Sequence, residues 1–179
     1  MFGPILRGET VSLEPRREED LHLYLSWFAD TQVTRTLLRR SVPSPRQEEE
    51  WLHNAASSDS GVAWRIVVDG RTIGGTGIDA IDWLNRHGVT GLFIGDRSEW
   101  GKGYASQAVA LRTAFAFREL GLERLESESF EHNIAMHRAL EKSGYHKIGR
   151  RRRHIYRDGG WNDVFIFEVL REEWEVRQR

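Results

Sequence analysis

The chain has 179 residues, 39% hydrophobic and 30% charged, with a formal net charge of −1. That balance fits a folded globular protein, excludes a disordered one and supplies no net field to draw it to nucleic acid. Cysteine is absent, which excludes disulfides, cysteine metal sites and an acyl group carried as a protein thioester.

The length sets the expectation of one domain over 1–179. No apolar run reaches the length of a membrane span, and the opening MFGPILRGETVSLEP lacks a basic-then-apolar leader pattern. A cytoplasmic location away from membranes is the expectation. His132 and His137 stand five apart and miss the helical metal spacing, so no metal is expected.

In chain order, Val11 to Glu14 reads as a short strand. Arg17 to Phe28 reads as an amphipathic helix with Leu21, Leu25 and Phe28 at helical spacing. Ser44 and Pro45 read as N-cap and first residue of a second helix running to about Ala56. Strands follow at Trp64 to Val68, Thr72 to Ile81 and Val89 to Ile94, with turns at Gly70 and at Asn85 to Gly88. A helix over 103–120 carries Ala108, Leu111, Ala114, Phe115 and Leu120 along one side and ends at Gly121. Leu125 to Phe130 is a strand, and Asn133 to Ser143 a helix closed by Gly144. Two strands near Tyr145 to Tyr156 and Val164 to Leu170, joined by Asp158-Gly159-Gly160, complete the chain. The expected fold class is α/β, a mixed sheet with helices on its faces.

The most informative segment is LFIGDRSEWGKGYASQAVA. A strand (Leu92, Phe93, Ile94) enters a glycine turn, Trp100-Gly101-Lys102-Gly103-Tyr104-Ala105, which opens directly into a helix. Two glycines permit positive φ, and the helix start offers unpaired N–H groups to a phosphate. Asp96 and Gly103 break the P-loop spelling, and Ser106 breaks the dinucleotide fingerprint. A glycine-rich strand–helix connection without a ligand is the alternative. The strand, helix and next strand form a parallel crossover, so the glycine turn and Asn133 meet at the carboxyl ends of two neighbouring strands, where ligands bind. The run Arg150 to Arg153 lies on a strand, where neighbours alternate faces. It reads as a solvated strand rather than a nucleic-acid patch, with contact to an acidic substrate or cofactor phosphates as the lesser reading.

Four segments together, IGGTGIDAIDWLNRHG, IGDRSEWGKGYASQAV, HNIAMHRALEKSGY and YRDGGWNDVFIFEVLREEW, resemble the GNAT N-acetyltransferases in order and spacing. The resemblance is to the branch holding the ribosomal-protein (Rim-type) and the diamine and spermidine acetyltransferases, and it covers almost the whole chain. It implies a mostly antiparallel central sheet with one splayed parallel pair and helices on both faces. It implies acetyl-CoA as co-substrate, its pantetheine amides paired with backbone of Phe93 and Ile94. The pyrophosphate would sit on Trp100, Gly101, Lys102, Gly103, Tyr104 and Ala105. Asn133 would cap its helix and bond the pantetheine arm, and Lys142 would approach the cofactor. It implies acetyl transfer to a primary amine, a protein N-terminus or a small amine such as a polyamine, by direct attack in a ternary complex.

The chain departs from the family pattern at the catalytic positions. Leu140 stands where many relatives have a Tyr that protonates the leaving thiolate. Met136 and Ile155 stand near where some Rim-type relatives have Ser and Glu. The local candidates for proton transfer are Ser129, Glu131 and His132, with water as the other acceptor. Asp79, Asp82 and Asp163 are unranked candidates to attract an amine. Trp27, Trp51, Trp64 and Trp161 are the aromatics that would line an acceptor pocket if they are not packing. The missing Tyr also leaves open a non-catalytic acyl-CoA-binding or sensor module. Homodimer pairing through the C-terminal strands is a further open expectation.

Overall fold

The computed structural model describes residues 1–38 and 41–178. The described residues form an eight-stranded sheet in the order β1-β2-β3-β4-β5-β6-β8-β7. The strands are β1 (Leu6–Arg7), β2 (Ser12–Glu14), β3 (Val62–Val68), β4 (Arg71–Asp82), β5 (His87–Ile94), β6 (Arg124–Phe130), β7 (His146–Arg157) and β8 (Gly160–Leu170). β3, VAWRIVV, is buried along its whole length, as a central strand covered on both faces must be. Its Trp64 is fully buried, with Nε1 donating to the Pro4 carbonyl at 3.0 Å.

Neighbouring strands pair antiparallel except β5 and β6. Those two run parallel and pair only over His87–Thr90 against Arg124–Ser127. Beyond that point β5 stays with β4 as far as Ile94, and β6 stays with β8 as far as Phe130. The sheet therefore splits into two arms with a gap between Leu92–Ile94 and Ser129–Phe130.

The helices are α1 (Leu21–Ala29), α2 (Thr31–Thr34), α3 (Pro45–Ser57), α4 (Tyr104–Arg118), α5 (Ile134–Lys142) and α6 (Arg171–Arg177). α1 is entered through a 3-10 turn at Glu18–Asp20 rather than as α-helix from Arg17. α3 begins with a complete capping box between Ser44 and Gln47. Buried Arg65 holds Glu14 at 2.5 Å and Asp20 at 3.4 Å, which fixes the chain on either side of Arg16 against the sheet.

Two expectations need correction. The buried face of α4 is Ala108, Val109, Arg112, Thr113, Ala116 and Phe117, whereas Leu111, Ala114, Phe115 and Leu120 are only partly covered. Arg112 is fully buried because its Nη1 donates to Thr76 Oγ1 at 2.7 Å and to the Gly91 carbonyl at 2.8 Å, satisfying two polar atoms of the sheet. On β7 the strand alternation of Arg150 to Arg153 breaks, since the register shifts between Arg151 and Ile155 and Arg153 has a φ of 49°. Arg150 is ion-paired to Asp163 and to Glu131, and Arg151 to Glu128 at 2.5 Å, so these two cations serve the sheet's own carboxylates. No helix among the described residues is long and apolar enough to cross a membrane.

Candidate active site

The gap is polar on both sides. Gly95 N–H donates to the Ile73 carbonyl at 2.8 Å. With the unbroken register from there, the antiparallel alternation commits the Phe93 backbone groups to Gly75 and turns those of Leu92 and Ile94 into the gap. The Ile94 carbonyl already accepts from Trp100 Nε1 at 2.9 Å. Across the gap, Ser129 is 3% exposed and its Oγ has no hydrogen-bond partner. Asn133 follows as the N-cap of α5, its side chain accepting from Met136 N–H at 3.2 Å. Leu92, Ser129, Asn133 and Met136 line one cavity of about 490 Å³.

The glycine turn lies at the end of β5. Asp96 caps a 3-10 turn over Arg97–Glu99, and Glu99 is held by Arg71 at 3.0 Å and Lys102 at 2.7 Å. The bond to Lys102 lowers the Glu99 pKa and raises that of Lys102. Gly101 and Gly103 take φ of 78° and 84°, and a Cβ on either would meet nothing within 4 Å. Gly103 caps α4 without a side-chain bond, and its carbonyl takes the Gln107 N–H. The N–H groups of Tyr104, Ala105 and Ser106 thus precede the helical ladder beside the open space at Gly101 and Gly103, a setting that suits an anion. Gln107 itself ties α4 to Thr10, accepting its hydroxyl at 3.0 Å.

On the α1/α3 side the cavity continues over the glycines at 75, 77 and 91, walled by Phe28, Trp51 and Phe93. Two carboxylates face it, Asp79 and Glu128. The Asp79 pKa is raised because protein atoms crowd it, although its side chain still reaches solvent at the open end; Arg16 and Arg112 oppose the rise. Asp82 is instead the cap of the β4–β5 turn, accepting from Leu84 and Asn85 N–H, and Asp163 accepts from Arg153 N–H and pairs with Arg150.

The other residues singled out in the sequence fall as follows. Of Ser129, Glu131 and His132, only Ser129 lines the cavity. Glu131 is turned to Arg150 at 3.5 Å, and His132 is exposed beside the Phe130 ring. Lys142 is exposed at the far end of α5, about 13 Å along the axis from Asn133. Trp51 lines the cavity, while Trp64 is core, Trp161 is exposed on the closing hairpin and Trp27 packs over the backbone of Gly95. Sequence reading missed Glu128 and Arg16. Strand parity could have found Glu128, since Val89 and Glu126 are paired and Glu128 repeats the same face.

The acetyltransferase (GNAT) domain family model matches residues 10–146. The chain belongs to the GNAT acetyltransferase family. It is similar to the uncharacterized N-acetyltransferase YoaA of Bacillus subtilis, 26% identical over 94% of this chain and 97% of YoaA. Its fold is that of the spermidine N-acetyltransferase of Vibrio cholerae solved with CoA and spermine, with a TM-score of 0.87 at 15% identity, covering 94% of this chain and 99% of that one. RimJ of Mycobacterium smegmatis, solved with CoA-disulfide, superposes with a TM-score of 0.81 at 20% identity over 96% and 87% of the two chains. The protein is an N-acetyltransferase with acetyl-CoA as co-substrate. The non-catalytic module is accordingly set aside.

Proposed function

We propose that the protein moves the acetyl group of acetyl-CoA onto a primary amine by direct attack within a ternary complex. The observation that carries this is the gap, into which backbone groups of Leu92 and Ile94 turn and whose cavity is lined by Leu92, the unpartnered Ser129 and Asp79. Leu92 and Ile94, rather than Phe93, then supply the edge along which an amide-bearing arm adds as a further strand. The N–H groups from Gly101 to Ala105 hold the pyrophosphate, and Asn133 bonds the same arm.

The amine enters from the α1/α3 side, as an ammonium attracted by Asp79. It loses a proton to water or to Asp79 and attacks the thioester carbonyl. The Ile94 N–H, turned into the gap, is the donor this reading assigns to the developing oxyanion. In this reading Ser129 Oγ donates a hydrogen bond to the departing sulfur, which takes its proton through that hydroxyl from water, a task that Leu140, wholly buried in the core, cannot perform. Much of the acceleration comes from holding the two substrates together.

Free thiol released from acetyl-CoA with an amine present is a clean readout, because the chain has no cysteine of its own. Varying both substrates should give intersecting initial-rate lines; parallel lines would show a covalent acetyl-enzyme and contradict direct attack. Ser129→Ala should lower kcat roughly tenfold or more while leaving the KM for acetyl-CoA within about threefold.

A further inference from the structure

We propose that the acceptor is a small amino-carboxylate, with Asp79 receiving its ammonium and Arg16 its carboxylate. This rests on the acetyl-transfer reading above and adds the chemical class of the acceptor to it. The guanidinium carbon of Arg16 lies 4.4 Å from the centroid of the Tyr24 ring and 4.5 Å from that of Trp51, so two aromatic rings hold the cation in place. Its edge lies over the cavity floor: a Cβ on Gly75 would fall 2.6 Å from an Arg16 terminal nitrogen. Glu14 and Asp20, its neighbours in sequence, are both turned to Arg65. Among the described residues no carboxylate forms an ion pair with Arg16, and its buried Nε has no hydrogen-bond partner. A planar cation held by two rings, with no ion-pair partner among the described residues and Nε unpartnered, suits a carboxylate taken by two parallel bonds.

The counter-charge stands two residues along the same strand. A Cβ on Gly77 would lie 3.8 Å from an Asp79 carboxylate oxygen, and Asp79 has no ion-pair partner among the described residues. Gly75 and Gly77 project to one face of β4, about 7 Å apart. The other carboxylate in the cavity, Glu128, is already neutralised by Arg151. Among the described residues the cavity therefore offers one cation and one anion outside any ion pair, above a glycine floor, with Arg112 and the Met1 ammonium acting on Asp79 only at longer range. That is the charge pattern of a short zwitterion. A polyamine would set a second ammonium against Arg16, and an uncharged tail would leave that guanidinium unsatisfied. In the transfer, the acceptor's N–C bond forms as the C–S bond of acetyl-CoA breaks. The ammonium gives up two protons, the thiolate takes one, and one is released to solvent.

The test compares matched acceptors with the purified full chain and acetyl-CoA, reading thiol release. The panel holds α-, β- and γ-amino acids, the amines made from them by loss of carboxylate, spermidine, and short peptides with free N-termini. Amino acids should exceed their decarboxylated amines at least tenfold in kcat/KM. Arg16→Gln should erase most of that preference, chiefly through KM, and Arg16→Lys should restore part of it, with acetyl-CoA affinity showing that both variants are folded. Preference for spermidine, for the decarboxylated amines or for peptides would overturn the proposal. So would turnover of no amino acid by a protein that still binds acetyl-CoA. Failure to bind acetyl-CoA at all would instead overturn the reading on which it rests.

Discussion

The indole Nε1 of Trp100 donates to the carbonyl oxygen of Ile94 at 2.9 Å, six residues back in the chain. The bond folds the glycine turn onto the end of β5, so the loop and the strand edge proposed to hold the phosphate and the arm are fixed as one unit. Trp100→Phe keeps the ring and removes the donor. A net hydrogen bond is worth about 1 kcal/mol, so acetyl-CoA should bind roughly fivefold more weakly, with the fold intact. Unchanged affinity by titration calorimetry would show that the bond does not organise the loop.

Asn133 has two tasks in this account, capping α5 and contacting acetyl-CoA. Asn133→Ala should cost about 1 kcal/mol of stability in denaturant unfolding, as the loss of an N-cap does. Asn133→Asp keeps a capping oxygen and should hold stability. If the side-chain amide serves the ligand, both variants should bind acetyl-CoA more weakly; normal binding by Asn133→Asp would confine the residue to capping.

Arg112 makes an unusual case for the sign of a core substitution. Its Nε and Nη2 are buried without hydrogen-bond partners, so part of its desolvation is uncompensated. Thr76 Oγ1 already donates to the Gly91 carbonyl at 2.8 Å, so that acceptor stays satisfied without the guanidinium. Arg112→Met, of similar bulk, should therefore leave stability within about 1 kcal/mol or raise it, whereas Arg112→Ala should cost roughly 2–4 kcal/mol through the cavity left. Chemical denaturation of the two variants checks the ordering.

His137 supplies a pH dependence. Burial beside Phe165 and Phe167 lowers its pKa, the Phe130 carbonyl at 3.0 Å and Glu141 oppose the shift, and Lys147 and His132 add to it. A lowered folded pKa means the neutral form is the one the fold prefers. The stability it contributes is complete above the unfolded value of about 6.5 and is lost as pH falls through the folded pKa. The thermal unfolding midpoint should fall as pH drops from about 6.5 through the lowered folded pKa, and His137→Gln should flatten the curve there.

The order of elements was readable because local signals agreed: the Ser44–Gln47 capping box, positive-φ glycines at Gly70, Gly121 and Gly144, and the strand–turn–helix around Gly101 and Gly103. The splayed parallel pair followed from the family resemblance, and the register shows it. What stayed hidden depends on partners distant in sequence. Arg112 and Thr113 look like solvent positions until Thr76, Gly91 and Tyr145 are seen to receive them. α6 is seven mostly charged residues with Trp174 as its one buried side chain, too short and polar to show a periodic stripe. In the site, Glu131 and His132 stood next to Asn133 in sequence, but the chain turns there and points them outward. Arg16 and Asp79 border one cavity because the glycines at 75 and 77 put no side chain between them.

The measurement that tests the central claim most directly is a calorimetric titration of acetyl-CoA into the wild-type protein and Gly103→Val, with NADH as control. Gly103 sits at a φ of 84° with open space where a side chain would go, so a β-branched residue strains the turn and intrudes on the anion position without disturbing the core. The account predicts saturable binding of acetyl-CoA and not NADH to the wild type, and none to a folded Gly103→Val. Normal acetyl-CoA binding by the variant would contradict the loop as the pyrophosphate site.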